Sequence, residues 1–548
     1  MNEIAEARVK SSIFGRTEGM EAMEKRSQRW LLIAAFVIAA VLRIYLASRS
    51  GLRPDELFSL GMATGHSLEH PVALADPRLG DFVEPVNPVP AEEFRHYLQH
   101  DNPPAGPARV IRAVLLSDTS PPLYYLLLYG WTLLFGTSDL SLRLFSTACS
   151  LACFPFFVSI ARRTGGKEAV GIVCLIFAFS PLAIYYSADG RMYPLLWLWV
   201  LATMTVSLAI RERASVGLFT LWVLTSAAGF LTHYFFVFAW MAVVAYLFFS
   251  PGRLKRLQLA LCGLATALIC LPWYMKVPQS LAGWRITKDW LKSRPADFSR
   301  VGALRDIVYQ FFAGHEKHLW VSHRSWNLPP VLLVCAIAVL VLWRLRSRAV
   351  TQSRLLLALV FAGVCAGPLI FDLVQRTYTV AWPRYAIAAL PAAYLLVSAG
   401  LACLPARSRL LMLCLIVIAW LPNLFIMYRD PAHWTPIREV ALIASMDAGP
   451  GDLLLVHSIP SGVLGVARYA RGPAPMASWI GQLGTRRMPE SLNQLAAARK
   501  RIVFVKLHEV GEPAPEEDWL RANATISRET HFELAEAVNF RPRGSETF

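Results

Sequence analysis

The chain has 548 residues, 55% of them hydrophobic and only 17% charged, with nine cysteines and a net charge of +16. Repeated apolar runs long enough to cross a bilayer exclude an ordinary soluble domain and define a polytopic membrane protein. The basic residues sit mostly in short loops between those runs, with no basic stripe interleaved with exposed aromatics, so the charge reports topology rather than nucleic-acid binding.

Residues 1–29 are polar and end Glu24-Lys25-Arg26-Ser27-Gln28-Arg29, which reads as a cytoplasmic N-terminal tail. The next run lacks a small-residue cleavage site, so an uncleaved first span is expected. Spans are expected near 30–47, 140–160, 168–188, 191–210, 215–231, 233–250, 257–276, 329–346, 354–374, 385–404 and 408–427, eleven in all. The apolar stretch from Pro121 to Gly136 is short for a span, opens with Pro-Pro and is rich in Tyr and Trp. Charge parity decides its place. If it lies along the surface, the basic loops Arg162-Arg163-Lys167, Arg211-Arg213, Arg253-Lys255-Arg256, Arg344 to Arg354 and Arg407-Arg409 are all cytoplasmic. If it crosses, every one of them flips outward, against the positive-inside tendency.

That topology makes 30–427 a membrane domain with two long external loops, 48–139 and 277–328. The second loop carries Trp284, Trp290, Trp320 and Trp326 with His315-Glu316-Lys317-His318. All nine cysteines (149, 153, 174, 262, 270, 335, 365, 403 and 414) fall in apolar runs, so the loops have no disulfide framework. Beyond residue 428 the pattern changes. Strand-like runs at Asp452–Val456 and Arg501–Val505 alternate with helix-like stretches near 436–447 and 489–499, so 428–548 is expected to be a small external α/β domain.

Chemistry concentrates on the predicted external face. Asp55-Glu56, in Arg53-Pro54-Asp55-Glu56-Leu57-Phe58, stands just past the first span, where carboxylates are costly to hold without a role. A bland reading exists too: Pro54 and two acids suit the first turn of a helix. Neighbouring residues do not share a helix face, so only one of the two is expected to point into a site. A second acid follows in Ser180-Pro181-Leu182-Ala183-Ile184-Tyr185-Tyr186-Ser187-Ala188-Asp189-Gly190-Arg191-Met192-Tyr193, bridging two spans on the same face. Asp118-Thr119-Ser120-Pro121-Pro122-Leu123-Tyr124-Tyr125 and Gly136-Thr137-Ser138-Asp139-Leu140-Ser141-Leu142-Arg143 flank the surface stretch.

In this order the motifs resemble bacterial polytopic glycosyltransferases of the GT-C fold, grouped with protein O-mannosyltransferases, aminoarabinose transferases and rhizobial lipopolysaccharide galacturonosyltransferases. Thr232-His233-Tyr234, Pro383-Arg384-Tyr385, Trp434, Arg438 and Gly451-Asp452 extend the resemblance over almost the whole chain. Where many relatives have His-Pro-Pro this chain has Ser120-Pro121-Pro122, so no role for that histidine carries over; His66, His70, His96 and His100 are the local alternatives.

The resemblance implies a mainly α polytopic fold and a polyprenyl-phosphate sugar donor. It further implies inverting transfer to a lipid, glycan or protein acceptor at the bacterial inner membrane. On that basis Asp55 is the expected base, with Glu56 and Asp189 shaping the catalytic cavity. Arg191 and Arg384, then Lys276 and Arg376, are expected at the donor phosphate, and Tyr185, Tyr193 and His233 in the pocket. No obligatory metal is expected. A flippase of lipid-linked precursors is the main alternative; it calls for ionisable groups at mid-membrane and related halves, and neither is evident.

Overall fold

The computed structural model describes residues 26–542 apart from 71–74, 119, 250–254, 284–289, 296–297, 314–331, 334–335, 338, 341–342, 344–350, 432–435, 447, 481–489, 508–513 and 533–534. Most of the predicted span 329–346, the His315–His318 cluster, Trp284, Trp320, Trp326 and Trp434 therefore lie outside the described residues.

Helix α1 (Arg26–Ala47) opens the membrane part and hands over to the short extramembrane helix α2 (Pro54–Ala63). Past the loop helices Glu92–Arg95 and Pro107–Ser117 comes α3 (Leu123–Phe135), whose 13 residues reach about 20 Å, short of a bilayer core of about 30 Å. Helices α4 (Asp139–Leu151) and α5 (Phe154–Phe179) follow with almost no break. A straight rod over those 41 residues would be about 60 Å long. Yet the Phe157 and Phe177 rings lie 4.7 Å apart, and the Ser187 hydroxyl donates to Ser150 at 2.7 Å. The chain therefore doubles back. It does so at Gly166, whose φ of 72° glycine adopts without a Cβ penalty. Two antiparallel segments result, at the positions expected for the spans near 140–160 and 168–188, and the second ends in α6 (Pro181–Ser187).

Helices α7 (Tyr193–Glu212), α8 (Val216–Phe230), α9 (Phe236–Phe249), α10 (Arg256–Tyr274), α11 (Gln352–Gln375), α12 (Leu390–Leu401) and α13 (Ala406–Arg429) match the remaining described spans within a few residues. Among the described residues, six helical stretches are long and apolar enough to cross a membrane, counting 139–179 as one, and four more are apolar but shorter. Their ends sort by charge. At the Gly166 turn, Arg409 pairs with Glu168 at 2.6 Å, Arg163 with Glu212 at 3.4 Å, and Arg354 donates to the Thr164 carbonyl at 3.0 Å. Asp55, Asp189, Arg191 and Arg384 gather at the opposite end.

The C-terminal part starts with α14 (Ile437–Met446) and builds a five-stranded sheet around β1 (Leu453–His457), β2 (Met476–Trp479), β3 (Ile502–Leu507), β4 (Ala524–Phe532) and β5 (Ala535–Pro542). Its order is β2-β1-β3-β5-β4, parallel within β2-β1-β3 and antiparallel from β3 outward. The parallel strands are buried on both faces, which explains the apolar runs Leu453–Val456 in β1 and Ile502–Val505 in β3. Leu454, Val456, Val503 and Val505 point into the core shared with the membrane part, whereas Leu453, Leu455, Ile502 and Phe504 close a separate core with Val538 and Phe540. Strands β2, β4 and β5 were not expected: β2 has four residues, and β4 carries Arg528, Glu529 and His531 where an apolar alternation would be sought.

Helix α15 (Pro460–Tyr469) lays its small residues against α2. A Cβ at Gly465 would stand 2.8 Å from both Leu57 Cδ1 and Ile437 Cγ2, so only glycine allows this approach. Gly465→Val is expected to cost about 1–3 kcal/mol through overpacking and to loosen α2. A lowered melting temperature with faster proteolysis at the 430–450 junction is the readout, and an unchanged melt counts against this packing.

Candidate active site

The site grows from the first turn of α2. Arg53 caps it in an extended conformation, Pro54 takes the first helical position where its missing N–H costs nothing, and the two acids follow. Their carboxylates diverge, as adjacent helix positions require.

Glu56 turns inward and is fully buried. Its Oε1 accepts from Arg143 Nε at 2.7 Å and from the Gly190 N–H at 2.8 Å; its Oε2 accepts from Arg143 Nη2 at 2.6 Å and the Arg53 N–H at 2.8 Å. Arg143, from α4, also donates to the carbonyls of Ala47 at 3.1 Å, Ser50 at 2.7 Å and Gly51 at 2.7 Å. All five guanidinium N–H groups and both carboxylate oxygens are engaged. The expected place for Glu56 on the cavity wall gives way to an internal brace. It clamps the α1–α2 turn to the Gly190 turn and leaves no lone pair for a substrate proton.

Asp55 faces the other way, its side chain 50% exposed, and accepts from Arg384 Nη1 at 3.0 Å. Beneath it lies the buried guanidinium of Arg191, which donates to the Asp55 carbonyl at 3.1 Å and to Ser59 Oγ at 3.0 Å. Arg191 also approaches Asp118 at 3.8 Å, and Asp118 accepts from the Ser120 and Tyr125 hydroxyls at 2.7 Å each. On the other flank Asp189 stands 4.0 Å from Arg53, whose guanidinium caps the Tyr185 ring at 4.4 Å. Three guanidinia (Arg53, Arg191 and Arg384) thus interleave with three carboxylates (Asp55, Asp118 and Asp189). Tyr193 stacks between Tyr186, at 4.9 Å, and His233, at 6.2 Å, and Tyr385 meets Phe235 at 5.0 Å behind Arg384.

Eight of the expected residues therefore meet in one cluster: Asp55, Glu56, Tyr185, Asp189, Arg191, Tyr193, His233 and Arg384. Lys276 and Arg376 are exposed and make no contact with it among the described residues. The loop histidines are engaged elsewhere. His66 bonds Thr64 and Asp101 at 3.1 and 3.2 Å, and burial holds it neutral, with its pKa down to about 4. His70 bonds Ser67, His96 the Glu93 carbonyl and His100 Thr132. Arg143, Asp118 and Ser59 join the site without having been singled out. Arg143 and Asp118 stood in quoted motifs, but their partners lie 87 and 73 residues away in sequence, beyond any local signal.

Burial, reinforced by the nearby Glu56 charge, pushes the Asp189 carboxyl up to about 7, outweighing Arg53 and Arg191. The folded protein therefore binds this proton more tightly than the unfolded chain, whose value is near 3.8. Stability from this group is full below about 4 and is lost as pH rises through about 7. Melting curves of detergent-solubilised wild type and Asp189→Asn between pH 4 and 8 should converge towards pH 4, with the wild type falling progressively behind up to about pH 7 and the gap levelling off above it. Parallel curves would refute the shift.

Comparison with known proteins bears on the fold. Residues 119–275 match the family described as dolichyl-phosphate-mannose-protein mannosyltransferase. Among solved structures, ArnT from Cupriavidus metallidurans bound to undecaprenyl phosphate superposes with a TM-score of 0.58 at 13% identity, covering 93% of this chain and 97% of that one. The same protein in the apo state gives 0.58 at 14% identity over 94% and 98%. The oligosaccharyltransferase AglB from Archaeoglobus fulgidus, in complex with an inhibitory peptide and a dolichol-phosphate, gives 0.47 at 11% identity over 88% and 69%. No curated protein sequence matches the chain. The fold is that of the polytopic GT-C glycosyltransferases. The likeness in fold to ArnT runs over 93% of this chain, which itself carries a small C-terminal sheet.

Proposed function

We propose that the chain is an inverting glycosyltransferase that moves a sugar from a polyprenyl-phosphate donor to a cell-envelope acceptor on the external face of a bacterial inner membrane. The observation that carries this reading is the half-exposed Asp55 carboxylate, set 3.0 Å from Arg384 with the buried Arg191 directly beneath. The ArnT complex that shares the fold holds undecaprenyl phosphate, a lipid of the proposed donor class.

In the reaction the acceptor oxygen attacks the anomeric carbon as its proton passes to Asp55. The new glycosidic bond forms on the face opposite the donor, the bond from anomeric carbon to phosphate oxygen breaks, and its electron pair leaves on the phosphate. A phosphate is already a good leaving group, so stabilising its growing charge matters more than protonating it. Arg384 and Arg191 supply that charge, with fork geometry suited to phosphate oxygens. Tyr193, Tyr185 and His233 shape the sugar pocket. The sorting of basic loops to the Gly166 end supports a cytoplasmic N-terminus, an external active site and an external C-terminal domain.

Purified enzyme supplied with lipid-linked sugars from native envelopes should release free polyprenyl phosphate, seen by mass spectrometry, above an Asp55→Asn control. No release above that control would sink the assignment. Because guanidinia here do what a divalent ion does elsewhere, the rate should stay within twofold in excess chelator. A rate restored only by added metal would overturn that part.

A further inference from the structure

The first extramembrane segment and the C-terminal domain frame an open cavity of about 360 Å³, lined by Glu92, Arg95, Arg438, Arg468, Tyr469 and Arg471 among others. Four guanidinia meet there. Arg95 is held by the Ala467 and Ala470 carbonyls at 2.6 Å each and paired with Glu92 at 2.8 Å. Arg468 is paired with Asp139 at 2.7 Å. Arg438 and Arg471 have no acidic partner among the described residues, which leaves the cavity with two uncompensated positive charges. The Arg471 backbone is fixed as well: its N–H donates to Ser445 Oγ at 2.8 Å, and the next residue, Gly472, holds a φ of 110° that glycine accommodates best.

The cavity backs onto the catalytic turn. A Cβ on Gly51 would stand 2.5 Å from Arg438 Cβ, and the Leu52 N–H donates to the Tyr469 hydroxyl at 2.7 Å, three residues before Asp55. Guanidinia around a concave space, Arg95 and Arg468 held in place and Arg438 and Arg471 adding positive charge, suit a phosphate better than a neutral sugar.

We propose that this cavity binds a phosphate group on the acceptor, so that the acceptor is an anionic, phosphate-bearing envelope molecule anchored beside the catalytic turn. The step from phosphate to acceptor rests on the transferase reading; phosphate binding itself does not. The test uses full-length protein in phosphatidylcholine nanodiscs, saturated with undecaprenyl phosphate so that the catalytic arginines are occupied, with inorganic phosphate titrated calorimetrically at physiological salt.

The wild type should bind phosphate, and R438Q/R471Q should bind it at least tenfold more weakly while its affinity for undecaprenyl phosphate changes less than twofold. Equal binding by both proteins, or none by the wild type, overturns the site. Repeating the titration in phosphatidylglycerol nanodiscs separates the sources: binding that persists supports an acceptor phosphate, whereas binding that vanishes gives the cavity to bulk lipid headgroups and overturns the acceptor assignment. No arm needs turnover, so a failed transferase assay would not masquerade as a failed binding site.

Discussion

Asp55→Asn is expected to slow sugar transfer by about a hundred- to ten-thousand-fold, the range that loss of a positioned general base produces. The substitution is nearly isosteric, and the amide oxygen it introduces still accepts from Arg384, so fold and pocket shape should survive. Removing a negative charge 3.0 Å from that guanidinium frees it for the donor phosphate. Undecaprenyl phosphate should therefore bind as tightly as before or tighter. The paired measurement is single-turnover transfer and lipid binding on the same preparation. Near-normal turnover removes Asp55 from the base role; lost turnover with lost lipid binding makes it a binding residue.

Arg143→Ala should be the most damaging single change to the fold. It strips Glu56 of its countercharge inside a dry environment and orphans three carbonyls of the α1–α2 turn. Breaking a buried pair from one side costs about 3–5 kcal/mol. Lysine should not rescue it, since one ammonium cannot reproduce a fork that serves Glu56 and three carbonyls together. Solubilised Arg143→Ala should show a collapsed monodisperse peak and a melting temperature lowered by many degrees, and Arg143→Lys should stay close to it. A melt within experimental error of wild type would show that the clamp is dispensable.

The local patterns were readable because each obeys a short-range rule. Apolar runs long enough to span marked the membrane helices, and two short apolar runs marked β1 and β3. Asp55, Asp189, Arg191 and Arg384 stood in motifs on one predicted face, and the fold gathers them at one end. What stayed hidden depends on distant partners. Nothing near Glu56 in sequence says that its carboxylate is consumed by Arg143. Nothing near Lys276 or Arg376 says that they stand apart from the cluster. Asp118 stood in a quoted motif with no role of its own, because Arg191 is 73 positions away. The edge hairpin β4–β5 is amphipathic and solvated along one side, so its polar residues masked it. The docking of α15 on α2 turns on the missing side chain of Gly465, which no periodicity reports.

The sheet of the C-terminal domain is wetted on neither side of its central strands. One face is roofed by α14 and α15, which in turn pack on α2, the other by the domain's remaining helices, and Val89 of the first extramembrane segment joins the edge at Met476 through backbone bonds of 2.7 and 3.0 Å. Severed from the rest and expressed alone, residues 437–542 would bare the side of α15 that packs on α2 and the β2 edge that Val89 covers. Conversely, a membrane half lacking this cap would leave the helix that bears Asp55 unsupported on its outer side. The two halves are joint owners of one interior, and attempts to crystallise or engineer either by itself start from a misfolding-prone fragment.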